Sequence, residues 1–135
     1  MFCGMRIAIP VWNDHVSPIF DVARQIRIYD VEDGSVRQTS VAEMPAGHHA
    51  GALRENGIDL LICAAVSSQL EPLIWVSGID VVSDVCGPAD AIARAFAAGD
   101  TALSRYRLPG ASRHRAARLR RGATIATPHR ERSRP

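Results

Sequence analysis

Residues 57–99 read GIDLLICAAVSSQLEPLIWVSGIDVVSDVCGPADAIARAFAAG, and this stretch decides the fold class. Ile58–Ala64 is a nearly continuous apolar run, which is typical of a central strand covered on both faces. Ile79–Ser83 is a second such run, and Pro88–Ala98 has a helical pattern that opens with proline. A further helix is predicted between the two strands. Strands that alternate with helices indicate parallel pairing through right-handed crossovers.

The residues before this stretch predict a first strand and an antiparallel hairpin. Arg6–Val11 is a short run rich in β-branched residues. Gln25–Val31 and Ser35–Val41 alternate apolar and polar residues on either side of Asp33-Gly34, a strong two-residue turn signal. A short helix is predicted over Ala50–Asn56. The sequence therefore predicts a single α/β domain with a five-stranded mixed sheet, an N-terminal hairpin followed by βαβα units, and helices on both faces.

Charge divides the chain into two parts. Residues 1–104 carry six arginines against 13 acidic residues, a net charge of −7, whereas residues 105–135 carry ten arginines and one glutamate, a net charge of +9. The second part also has few large apolar residues with which to bury surface. We therefore predict a folded domain over residues 5–104 and a disordered arginine-rich tail over 105–135. Such a tail is expected to contact polyanions non-specifically.

The cysteine pattern and the hydropathy indicate the cellular compartment. Cys3, Cys63 and Cys86 have no regular spacing, which argues against a disulfide framework. The longest apolar run is far too short to span a bilayer, and the first residues do not resemble a signal peptide. We expect a cytoplasmic protein with no membrane contact.

Catalytic signatures are not found in the sequence. It contains no P-loop, no dinucleotide-binding glycine pattern and no nucleophile elbow. Serine, histidine and aspartate are present, but no spacing fixes their relative geometry. The sequence therefore favours a binding or carrier protein over an enzyme.

Polar residues concentrate in four loops that should meet at the carboxyl edge of the parallel strands, where open α/β sheets bind ligands. Thiolates and imidazoles are suitable ligands for zinc, copper and iron–sulfur species. Cys86 is the first candidate, because its loop precedes a helix whose N-terminus favours negative charge. The predicted cofactor-binding residues are Cys86, His48, His49, Cys63, His15 and Ser67, of which Cys86, His48 and His49 are the predicted metal ligands.

Several of these candidates also have an ordinary structural interpretation. Cys63 lies in a strand predicted to be buried and can serve as a small core residue. Ser67, like Ser68, can cap the helix that runs to about Val76. His48 and His49 can simply be loop histidines.

Five segments, taken in order, resemble a known family. They are MRIAIPVWND, VSPIFDVA, IYDVEDG, GIDLLICAAVS and GIDVVSDVCGPADAIARAFAAG. Together they resemble the dinitrogenase iron-molybdenum cofactor biosynthesis family over about residues 5–99. The resemblance implies an RNase H-like topology and an accessory protein of nitrogen fixation. Such a protein binds or carries iron–sulfur or iron–molybdenum cluster precursors and contacts a cofactor-assembly protein.

The sequence departs from that family at one informative place. Cofactor-carrying members typically have His-Phe-Gly in the loop after the first strand, and Ile19, Phe20 and Asp21 stand at the matching positions. We therefore expect a branch that lacks this histidine and takes its ligands from elsewhere. The alternative functions are a metal-free regulatory or scaffold domain and a protein that binds nucleic acid through its tail.

Overall fold

The computed structural model describes residues 4–99, 103–107 and the backbone of 117–118. Short 3-10 turns occur at Phe20–Val22 and Ser104–Tyr106. The longest described helix has ten residues, and none of the described helices is long and apolar enough to cross a membrane. The strands and helices are β1 (Met5–Trp12), β2 (His15–Val16), β3 (Gln25–Glu32), β4 (Ser35–Glu43), α1 (His49–Glu55), β5 (Leu60–Ile62), α2 (Leu70–Val76), β6 (Asp80–Val82), α3 (Ala89–Ala98) and β7 (Ala117–Arg118).

A mixed sheet forms the centre of the domain, with the strand order β4-β3-β1-β5-β6-β7 and β2 paired to β1 outside this path. β3 runs antiparallel to β1 and to β4, whereas β5 pairs parallel with β1 and β6 parallel with β5. The prediction of five strands was wrong, because the path contains six strands among the described residues. All five predicted strands are present, β7 is the sixth strand of the path, and β2 is a further two-residue strand that was not predicted. A two-residue strand held by backbone pairing leaves no periodic pattern in the sequence. The RNase H-like topology stays a prediction.

Successive residues of the strands face two separate cores. On one side, Ile7 of β1 packs with Phe96 of α3. On the other side, Leu61 of β5 packs with Leu53 of α1 and Ile74 of α2. The predicted placement of helices on both faces is therefore confirmed, with α3 on one face and α1 and α2 on the other.

Two described segments include residues beyond 104, in the part of the chain predicted to be the tail. Arg107 forms an isolated β-bridge with Val85, and Ala117–Arg118 pairs antiparallel with β6. The predicted disorder concerns residues 105–135, and most of these lie outside the described residues.

Candidate functional site

Three loops meet at the carboxyl edge of β1, β5 and β6 and are joined by backbone hydrogen bonds. The Val16 N–H donates to the Gly87 carbonyl at 2.9 Å, which joins the segment after β1 to the β6–α3 loop. The Phe20 N–H donates to the Ala65 carbonyl at 2.8 Å, and the Ala65 N–H donates to the Pro18 carbonyl at 3.0 Å. These bonds join the same segment to the β5–α2 loop, so three of the four loops predicted to meet at this edge are joined.

Cys86 and His15 lie on two of these joined loops. The Cys86 side chain is exposed, and its N–H donates to the Tyr106 carbonyl at 2.8 Å. His15 forms an antiparallel β-bridge with Pro88, two residues after Cys86. An exposed thiol and an exposed imidazole are therefore carried by adjacent stretches of backbone.

The hydrogen bond of the His15 ring determines which nitrogen can bind a metal. His15 Nδ1 lies 3.1 Å from the Asn13 carbonyl oxygen, which can only accept a hydrogen bond. Nδ1 therefore carries the proton in the neutral ring, and the lone pair of Nε2 is free. Metal-binding histidines are commonly oriented in this way by a carbonyl on the second ring nitrogen.

His48 and His49 lie at the start of α1, on the face of the sheet opposite α3, whereas Cys86 lies in the loop that precedes α3. The His48 Nε2 atom lies 3.0 Å from Glu55 Oε2, and His49 is buried with its Nε2 atom 2.9 Å from the Ala23 carbonyl oxygen.

The predicted metal-ligand set of Cys86, His48 and His49 is therefore not brought together. The sequence indicated a shared edge of the sheet but not which side chains are available there, because His49 is buried against Phe20 and the His48 ring lies beside Glu55. In the described parts of the chain, no three His, Cys, Asp or Glu side chains are arranged to hold a metal ion.

Cys63 lies in the core between the sheet and helices α1 and α2, with 0% of its surface exposed. Burial raises the pKa of the Cys63 thiol above its ordinary range, and the nearby charges of Glu71 and Asp84 act in the same direction. The thiol is therefore held neutral, which suits a core residue and disfavours a thiolate ligand.

The buried Cys63 thiol is expected to make the domain less stable at alkaline pH. The thiol ionises near pH 8.5 in the unfolded chain but only at higher pH in the folded one. The contribution of the neutral thiol to the free energy of unfolding is therefore fully present below pH 8.5. Above that pH, the free energy of unfolding decreases by about 1.4 kcal/mol per pH unit. Urea unfolding between pH 8 and 10 measures this slope.

Cys63→Ala should reduce this slope, whereas Cys86→Ala, which changes an exposed thiol, should leave it unchanged. Below pH 10 the ionisation of unfolded tyrosine adds little to the slope. Equal slopes for the parent and Cys63→Ala would show that the buried thiol does not cause the loss.

Ser67 caps α2, as the sequence predicted. Its Oγ atom accepts a hydrogen bond of 3.0 Å from the Leu70 N–H. The Ser67 N–H donates to Asp21 Oδ1 at 2.9 Å, which ties the helix start to the 3-10 turn after β1. The Ser67 hydroxyl therefore has a structural role at the edge of the candidate site.

Comparison with known proteins identifies the family. The family model described as dinitrogenase iron-molybdenum cofactor matches residues 4–99. This chain belongs to the dinitrogenase iron-molybdenum cofactor family. Among curated proteins, none matches the sequence significantly.

Solved structures resemble this member of the dinitrogenase iron-molybdenum cofactor family over most of their length. The crystal structure of PH0822 is 26% identical with a TM-score of 0.65, and the match covers 69% of this chain and 89% of that one. A Thermotoga protein described provisionally as NifB is 28% identical with a TM-score of 0.50, covering 64% and 81%. A Methanocaldococcus jannaschii protein described provisionally as a dinitrogenase is 17% identical with a TM-score of 0.57, covering 70% and 88%, and this likeness shows the fold alone.

In this family member, the positions that match the His-Phe-Gly motif are used for packing and hydrogen bonding. Ile19 is half exposed and forms a parallel bridge with Ala65. The Phe20 ring is fully buried and lies edge-on to His49, with 5.1 Å between the ring centroids. Asp21 accepts the hydrogen bond from Ser67. These three residues therefore fasten the segment after β1 to α1 and α2.

An ionic network on the α3 face was not predicted from the sequence of this family member. Arg27 Nη2 lies 2.6 Å from Asp14 Oδ1, and its Nη1 lies 3.3 Å from Asp90 Oδ1. The Tyr29 hydroxyl donates to Asp90 Oδ1 at 2.5 Å. The bond from Tyr29 and the charge of Arg27 lower the pKa of Asp90, while burial raises the pKa of Tyr29.

This network fixes the position of the His15 loop, because Asp14 immediately precedes His15. Asn13 and Asp14 both have positive φ angles, of 54° and 66°, so the loop turns sharply before it reaches β2. The sequence did contain a signal for the network. Arg27 and Tyr29 alternate with the buried Ile26 and Ile28, so they lie together on the opposite face of the strand. A cation on a strand face that packs against a helix needs an anionic partner.

Proposed function

We propose that this protein binds an iron–sulfur or iron–molybdenum cluster precursor at the carboxyl edge of its sheet and transfers it without chemical turnover. The observation that carries the proposal is that two potential donors, the Cys86 thiol and the Nε2 atom of His15, lie on loops that are joined through their backbones. Family membership over residues 4–99 supports the class of cofactor.

The chemistry of these two donors fits such a cluster. Thiolate and imidazole are both ligands of iron–sulfur species, and each is exposed to solvent here. Two protein donors leave other coordination positions of the cluster open, which suits a protein that must release what it binds. The cluster itself would supply metal and sulfide to a later assembly step.

The residues around the two donors would preorganise them before the cluster arrives. Asn13 orients the His15 ring, and Arg27 holds the preceding Asp14. The Cys86 backbone is held by Tyr106. Little conformational entropy would then be lost on binding, so a small number of protein ligands could suffice.

We propose a cofactor-assembly protein as the natural partner, with both proteins in the cytoplasm. Contact of the arginine-rich residues 105–135 with polyanions is a separate expectation from their charge. It does not depend on the metal site.

Anaerobic reconstitution with ferrous iron and sulfide tests the proposed site. The parent protein should bind iron and sulfide and gain absorbance in the visible range. The double variant Cys86→Ser/His15→Ala should lose nearly all of the bound iron, because both protein donors are removed. The thermal unfolding midpoint should stay close to that of the parent, since both side chains are exposed.

His48→Ala is the matched control, because it removes an exposed histidine that lies at the start of α1 and not on the loops that carry Cys86 and His15. This variant should bind as much iron as the parent. Equal iron in the parent and in the double variant would show that the site is wrong. A parent that binds no iron would instead favour the metal-free scaffold function.

A further inference from the structure

A second feature of the carboxyl edge is an open cavity of about 580 Å³ between the segment after β1 and the end of β4. This volume is within the range of small-molecule sites. The cavity shares the loop after β1 with the proposed cluster site, but neither Cys86 nor His15 lines it. Its lining includes Trp12, Ser17, Pro18, Val22, Arg24 and Glu43.

The cavity has apolar walls that are open to solvent. Trp12 is 68% exposed and Val22 is 63% exposed, and both line the cavity together with Pro18. Large side chains this exposed and this close together are typical of binding surfaces rather than of ordinary protein surface. A ligand with an aromatic or branched apolar body would remove this surface from water.

The cavity also presents a cation. Arg24 is exposed and forms no ion pair with any carboxylate in the described part of the chain. Its Nη1 atom donates one long hydrogen bond, of 3.4 Å, to the Val22 carbonyl. A guanidinium has five N–H donors, so most of them are available to a ligand, and their fork geometry matches a carboxylate.

A carboxylate of the protein limits how much negative charge the ligand can carry. Glu43 also lines the cavity and accepts a hydrogen bond of 3.1 Å from Gln25. Its charge would repel a ligand with several anionic groups, whereas a single carboxylate can approach Arg24.

We propose that this cavity binds a small monocarboxylate with an aromatic or branched apolar body. The carboxylate contacts Arg24, and the body lies against Trp12 and Val22. The inference does not depend on cluster binding, since it uses neither Cys86 nor His15.

Titration of the full-length protein with 3-phenylpropionate, followed by two-dimensional amide NMR, tests the proposal. Saturable shifts should appear at Ser17, Val22 and Arg24. The neutral analogue 3-phenylpropanamide should bind at least tenfold more weakly, because it lacks the charge that Arg24 recognises. Trp12→Ala should also weaken the binding of the acid several-fold.

Charge variants make the test sharper, since the two charged residues act in opposite directions. Arg24→Gln should weaken the binding of 3-phenylpropionate at least tenfold. Glu43→Gln should strengthen this binding about two- to fivefold, because it removes a repulsive charge. Arg37→Gln removes an arginine that lines other cavities, away from this one, and should change nothing. The NMR spectrum of each free variant shows whether it is folded. The proposal is overturned if the acid does not bind, if the amide binds as well, or if Arg24→Gln has the parent's affinity.

Discussion

Phe20→Ala is expected to lower the free energy of unfolding by about 3–5 kcal/mol. The Phe20 ring is completely buried in the core beneath α1 and α2, and it packs edge-on against the buried His49. Its removal leaves a cavity where the segment after β1, helix α1 and the β5–α2 loop meet. A domain of this size has a total stability of about 5–15 kcal/mol, so the loss would be a large part of it.

Urea unfolding at neutral pH measures the effect of Phe20→Ala. Val22→Ala is the matched control, since Val22 lies in the same 3-10 turn but is mostly exposed. We expect that control to stay within about 0.5 kcal/mol of the parent. A loss of less than about 1 kcal/mol for Phe20→Ala would contradict the packing described for this ring.

Gly87→Ala is expected to cost about 2–4 kcal/mol, from two independent causes. Gly87 has a φ of +132°, which an L-residue with a side chain rarely adopts. A Cβ atom at this position would also lie 2.9 Å from Cδ1 of Tyr106. Because Gly87 follows Cys86 and its carbonyl binds the Val16 N–H, the loop that carries Cys86 should move as well.

Gly34→Ala is a control for a positive φ without a steric contact, because Gly34 has a φ of +79° and no atom within 4 Å of an added Cβ. This control should show only the backbone cost, of about 1 kcal/mol. In a Tyr106→Ala background, Gly87→Ala should become less costly, since the contact with the ring is removed. If Gly87→Ala lowers the free energy of unfolding equally in the parent and in the Tyr106→Ala background, the contact with the Tyr106 ring does not contribute to the destabilisation.

The fold could be predicted to a large extent, because periodicity in the sequence reflects which side of an element is buried. Ile58–Ala64 indicated the central strand, and Asp33-Gly34 indicated the hairpin that joins β3 to β4. β7 could not be predicted, because Ala117–Arg118 pairs through its backbone and has no apolar pattern. The sixth strand is therefore a tertiary feature rather than a local one.

The candidate site could be predicted only as an edge of the sheet. Loop order along the chain indicated that His15, His48 and Cys86 follow strands that end on the same side. It did not indicate which loops are neighbours, because this depends on where the β3–β4 hairpin joins the sheet. The hydrogen bond from His15 to Asn13 is local in sequence, but it depends on the positive φ values of Asn13 and Asp14.

The backbone bonds that join the three loops have a consequence for how this edge can evolve. N–H and carbonyl groups are the same for every residue except proline, so the bonds at Val16, Phe20 and Ala65 place almost no requirement on side-chain identity. Exposed side chains on these loops can therefore change during evolution while the loop framework persists.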